Sequence, residues 1–244
     1  MRLVVTDLTR FSNRDKVCLA GIDLDTGACI RPLVEKNGKN DYISFDGVKE
    51  HKVIPGSILE GDFVPVPGSA APHSEDHRVI GKLSVKGAAS SDDFESILDR
   101  SSVPTVRSGF GHLPENRLYS TNNPPGKSII TLKLTSPRTQ FRMSADKYNN
   151  EKFKAHLVDA SGFRLEWLPV TDLGFSDHIQ SIRNDDPDFA RLNLFLQAQR
   201  VLYIRLGLAR QYANPNNPER DGYWVQVNGI YSFPNYRQDL RIYE

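Results

Sequence analysis

Arg205-Leu-Gly-Leu-Ala-Arg210 and, after a polar loop, Tyr223-Trp-Val-Gln-Val-Asn-Gly-Ile-Tyr-Ser-Phe-Pro234 read as two adjoining strands. Side chains alternate across a strand, so Val225 and Val227 share one face and Trp224, Gln226 and Asn228 the other. In the first strand Ile204, Leu206 and Leu208 lie opposite Tyr203, Arg205 and Gly207. The aliphatic faces make a core. The opposite faces would gather Arg205, Trp224, Gln226 and Asn228 on an open surface, with Arg210 and Tyr212 extending it. An arginine beside a ring and two amides suits a polyanion that carries flat bases.

Working outward, the chain shows short β-like runs. Leu3-Val-Val-Thr6 is followed by the polar loop Ser12-Asn-Arg-Asp-Lys16. Val17–Ile22 and Ala28–Val34 flank Asp25-Thr26-Gly27, a hairpin signal. A turn and strand follow over 51–66, and another strand over 78–85. Ser90–Arg100 has capping chemistry and Phe94, Ile97 and Leu98 at helical spacing. Residues 101–127, rich in Gly, Pro and Asn, read as a long loop. Strands are expected at 128–134, 140–143, 154–158 and 164–170, a helix over 187–200, then the two closing strands.

Each half thus holds several short strands and about one helix. That inventory fits a mainly β protein with minor α, built as two tandem five-stranded Greek-key barrels over residues 1–127 and 128–244. A single β-rich α+β domain is the alternative.

The composition is that of a globular protein, 39% hydrophobic and 25% charged. A net charge of +1 advertises no global field for nucleic acid or membrane. Residues 137–244 nevertheless carry 11 Arg against 3 Lys, and Arg is the better phosphate and ring partner. The hairpin sets Cys18 opposite roughly Glu35, so no disulfide with Cys29 is expected, nor a zinc site from two isolated cysteines. No apolar run approaches the about 18 residues of a membrane helix, and the opening residues lack a leader. A cytoplasmic protein without membrane contact is expected.

No phosphate-cradling glycine loop, dinucleotide fingerprint or serine elbow occurs. Pro72-His-Ser-Glu-Asp-His-Arg78 clusters metal-type ligands, but in a loop and out of zincin order, so no metal is expected. Ser108-Gly-Phe-Gly-His112 reads as turn glycines. Asp185-Asp-Pro-Asp188 reads as acids at a helix start. No cofactor or catalytic residue emerges, although a centre built from scattered acids is left open.

Cys18-Leu-Ala-Gly-Ile-Asp and Cys29-Ile-Arg-Pro-Leu at the start, with Leu206-Gly-Leu-Ala-Arg210 and Trp224-Val-Gln-Val-Asn-Gly-Ile230 at the end, resemble prokaryotic dual OB-fold domain proteins. The resemblance spans nearly the whole chain, with no matching motif over 67–127. It implies tandem OB folds, nucleic-acid or nucleotide-like partners, and a place in bacterial defence or stress responses.

OB barrels bind strands across strands 2 and 3, flanked by the loops between strands 1–2 and 4–5. In the first half that face would present Arg31, and the strand 1–2 loop would present Phe11, Arg14 and Lys16. The expectation is a non-catalytic protein for single-stranded DNA or RNA. A sensor or enzyme holding a nucleotide-like molecule between the barrels, or a protein-interaction scaffold, are the other readings.

Overall fold

Strand β1, Arg2–Arg10, begins a barrel and, midway along, changes which residues it sends inward. Leu3 and Val5 point into the first core while Val4 points out of it. Thr6 is then an extra residue in the pairing of β1 with β2, Lys16–Asp23. Such a bulge shifts the side-chain phase by one. Beyond it Leu8 enters the core and Asp7 faces outward.

The computed structural model describes residues 1–135, 137–146, 152–186, 189–213 and 220–243. The hairpin reaches β3, Cys29–Lys36, in the register Gly21↔Ile30, and both cysteines are free. Short strands β4, Lys39–Asp41, and β5, Ile43–Ser44, follow. Helix α1, Phe45–Glu50, capped by Ser44, leads into β6, Ser57–Pro65, and β7, Asp76–Ala88. β3 and β7 run parallel, β7 pairs with β6, and β6 returns to β1. The ring β1-β2-β3-β7-β6 is a closed five-stranded barrel of OB topology.

Helix α2, Ser91–Arg100, follows as expected, with Ser90 Oγ accepting from the Asp93 amide. The stretch expected as a long loop instead holds β8, Ser102–Val103, helix α3, Val106–Phe110, and β9, Leu118–Tyr119. Thr105 caps α3 and Gly111 ends it at φ 91°. β8 and β9 hydrogen-bond into the sheet of the second half, β8 beside β10 and β9 beside β15.

The second half comprises β10, Ile129–Leu134, β11, Gln140–Ala145, β12, Phe153–Val158, and β13, Arg164–Pro169. Helices α4, Leu173–Ile182, and α5, Ala190–Gln197, precede β14, Val201–Leu208, and β15, Tyr223–Phe233. Of the helix expected over 187–200, residues 187 and 188 lie outside the described residues. α4 has no counterpart among the expected elements; Asp172 caps it by accepting from the Phe175 amide at 3.1 Å. β10 pairs with β14, β11 with β12, β12 with β13, and Val170 bridges parallel to Val227 of β15. This is a second OB-like circuit, less fully closed.

The halves meet face to face. All eight residues of β14 are buried, because its aliphatic face lines the second core while Val201 and Tyr203 pack on the first half. Tyr231 and Phe233 of β15 join them, against Val4, Ile22, Phe94, Ile97 and Leu98. β15 carries a bulge of its own at Asn228, which turns odd-numbered residues toward the junction after Gly229. These side chains pack against one another at the junction.

Candidate nucleic-acid interface

Three of the residues expected on the binding surface, Arg205, Arg31 and Asn228, are buried. Arg205 is 2% exposed. Its Nε and Nη2 donate to Asp7 at 2.9 and 2.7 Å, Nη1 to Thr131 Oγ1 at 2.8 Å, and Nη2 to Cys29 Sγ at 3.3 Å. Burial alone would lower its pKa; the Asp7 carboxylate outweighs that and holds it above the ordinary arginine value. Alternation did put Arg205 on the face opposite the core, but that face is the junction.

Arg31 is also buried. It donates to Ser128 Oγ at 2.6 Å and pairs with Glu75 and Asp76 at 3.4 and 3.1 Å. Glu75 Oε1 accepts from the Ser128 and Ile129 amides at 2.6 and 2.9 Å. Arg31 and Glu75 therefore latch the first barrel to the start of β10. His73 completes the group, its Nδ1 3.3 Å from Arg31 Nη2. Burial, then the charges of Arg210 and Arg31, push His73 down to about 3. The acids of the His73–His77 cluster are thus committed to arginine, and among the described residues no group of three or more His, Cys, Asp and Glu is placed to hold a metal.

Asn228 is the bulged residue and is buried. Its Oδ1 accepts from Thr171 Oγ1 at 3.1 Å and Gln226 Nε2 at 3.0 Å. Its amide lies across Gly207, where a Cβ would sit 2.1 Å from Nδ2. Only glycine admits that approach.

The accessible groups gather where the β14–β15 face emerges past the first barrel. Val225 and Val227 are core, as expected, and Gln226 and Trp224 are partly exposed on the other side. Arg210 leaves the end of β14 and reaches the first barrel, donating from Nε to Tyr42 Oη at 2.8 Å and pairing with Asp76 at 2.8 Å. Its guanidinium lies 5.7 Å from the Tyr42 ring centroid. Burial would lower its pKa, but the hydrogen bond to Asp76 holds it high. Phe11, exposed in the β1–β2 loop, has its ring 4.7 Å from Tyr42 at 54°. Two rings and a cation thus stand together at the expected strand 1–2 loop.

The other loop cations are neutralised in place. Lys16 pairs with Asp41 at 2.7 Å and Arg14 with Asp177 of α4. Exposed pairs of this kind are worth little to stability. Tyr212 is half exposed, in a bridge with Gly222. Trp224 lies beyond Gln226, paired in register with Leu118, with the guanidiniums of Arg117 and Arg220 5.6 and 5.2 Å from its ring centroid. Sequence reading missed Tyr42, Arg117 and Arg220. A lone tyrosine among polar residues and two loop arginines carry no periodic signal; tertiary approach alone makes them partners.

The chain belongs to the dual OB-containing domain family, whose model matches residues 1–230. No curated protein matches it. A solved structure of a murine DNA binding protein bound with double-stranded DNA is similar over 95% of this chain and 96% of that one, at 10% identity and a TM-score of 0.33, too remote to bear on fold or site. Among the described residues no helix is long and apolar enough to cross a membrane.

Proposed function

We propose that this dual OB chain binds single-stranded nucleic acid across the mouth formed by Phe11, Tyr42 and Arg210. The observation that carries the reading is Arg210 laid on Tyr42 beside Phe11. OB surfaces combine cations that follow the backbone with rings on which bases stack. Here the rings come from the strand 1–2 loop and its neighbour, and the cation from the second half. Phe11 and Tyr42 are tilted against each other and present separate faces, which suits bases already unstacked. Arg14 and Lys16 flank the rings and supply weaker backbone contacts once released from Asp177 and Asp41.

Fluorescence anisotropy with a labelled 15-nucleotide single strand at low salt tests this. Phe11→Ala is expected to cost about 1–3 kcal/mol of affinity, the usual worth of one stacked base. Arg210→Ala is expected to weaken all sequences alike and to reduce the salt slope by about 1. Absence of strand binding, preference for duplex, or unchanged affinity in both variants would overturn the proposal.

A further inference from the structure

A cavity of about 1080 Å³ opens beside Trp224, with Arg117, Arg220, Asn122 and Asn123 on its walls together with the acidic residues Glu115 and Asp221. Its frame is fixed. Trp224 pairs with Leu118 of β9, and the Val225 amide donates to the Arg117 carbonyl at 2.9 Å. Asn116 and Arg117 both adopt left-handed backbone, at φ 46° and 72°. Residues other than glycine take that conformation at a cost of order 1 kcal/mol or more, and it clusters at ligand clamps. The turn sends Arg117 Nη1 onto the Trp167 carbonyl at 2.5 Å while the guanidinium stays beside the Trp224 ring. Arg220, which is exposed, approaches the same ring. Burial, then the charge of Arg220, push Arg117 below the ordinary arginine value. Two like charges gathered on one ring are relieved by an anion between them.

We propose that this cleft holds a nucleotide, its base stacked on Trp224 and its phosphate bridging Arg117 and Arg220. The guanidinium fork matches phosphate geometry. The Asn122 and Asn123 amides offer both donors and acceptors to a base edge. Arg117, anchored by the Trp167 carbonyl, is the fixed half of the clamp. Arg220 moves from the ring to the phosphate as the base arrives. The inference rests on the nucleic-acid reading above for its choice of ligand. Either a free mononucleotide or the terminal nucleotide of a strand supplies the same chemistry.

Isothermal titration of the full chain with AMP, adenosine, inorganic phosphate and a 12-nucleotide strand with or without a 5′-phosphate tests it. AMP is expected to bind at least about tenfold more tightly than adenosine, the worth of one or two charge-assisted hydrogen bonds. Trp224→Ala and the exposed change Arg220→Ala should each weaken AMP by a similar factor, with circular dichroism intact. A 5′-phosphate that tightens strand binding, with AMP competing, identifies the strand end as the source; AMP binding indifferent to the strand identifies the free nucleotide. Equal affinity for AMP and adenosine, no AMP binding, or unchanged AMP affinity in both variants overturns the proposal. If the 5′-hydroxyl strand binds and AMP does not, the pocket fails and the strand surface stands. If AMP binds and no strand does, the strand surface fails and the pocket stands.

Discussion

Tyr231 Oη donates to the Thr6 carbonyl at 2.7 Å, joining residues 225 positions apart. Thr6 is the bulged residue of β1, and Tyr231 follows the bulge of β15. Each bulge flips the side-chain phase of its strand, and together they bring Asp7 to Arg205 and Tyr231 to Thr6. The halves are therefore aligned by two local irregularities that face each other.

The Arg205–Asp7 pair should behave as a buried ion pair. Arg205→Ala leaves the Asp7 carboxylate buried and uncompensated, and is expected to cost about 3–5 kcal/mol. Replacing both by Met and Leu should recover most of that loss. Urea midpoints of Arg205→Ala and of the double variant check this. Equal loss in the double variant would show that the pair contributes through something other than its charges.

Gly207→Ala should destabilise the chain by about 1–3 kcal/mol, the usual cost of forcing atoms into a filled site, because its Cβ meets the Asn228 amide. Adding Asn228→Gly removes the clash and should restore part of the loss. Thermal unfolding of the single and double variants reads the difference. If the second change brings no recovery, the contact does not set the requirement for glycine.

His73 gives the chain an acid-sensitive latch. Its pKa falls from the ordinary 6.5 to about 3 in the fold, through burial and the charges of Arg210 and Arg31. Between those values the unfolded chain takes up a proton that the folded one refuses. Its contribution is complete above pH 6.5 and is lost as pH falls toward 3, by at most about 1.4 kcal/mol per unit. Urea midpoints at pH 7 and 5 should converge in His73→Gln relative to the parent. An identical drop in both would assign the acid sensitivity elsewhere.

Much of the fold was legible because its signals are local. Val225 and Val227 entered the core as alternation required, and Ser90 capped α2 before Phe94, Ile97 and Leu98 as spacing required. Helix α4 was also readable in principle, with Asp172 before Leu173, Phe175, Ser176 and Ile179. Its serines and histidine blurred the apolar stripe. The site was harder to read. Alternation tells which residues oppose the core but not whether that face meets water or another layer. Trp224 and Gln226 meet a cleft and solvent; Arg205, on the same face, meets Asp7. The buried partners come from Asp7, Cys29 and Ser128, and no spacing within either half announces them.

The tie between Thr6 and Tyr231 also governs how the chain comes off the ribosome. The first barrel and α2 are complete by Arg100, yet Val4, Ile22, Phe94, Ile97 and Leu98 lack their full cover until Val201, Tyr203, Tyr231 and Phe233 have all been made. At synthesis rates of about 5–20 residues per second, that apolar patch waits on the order of ten seconds for its cover. During this interval the uncovered patch is open to aggregation, the general hazard of apolar surface exposed before its cover is made.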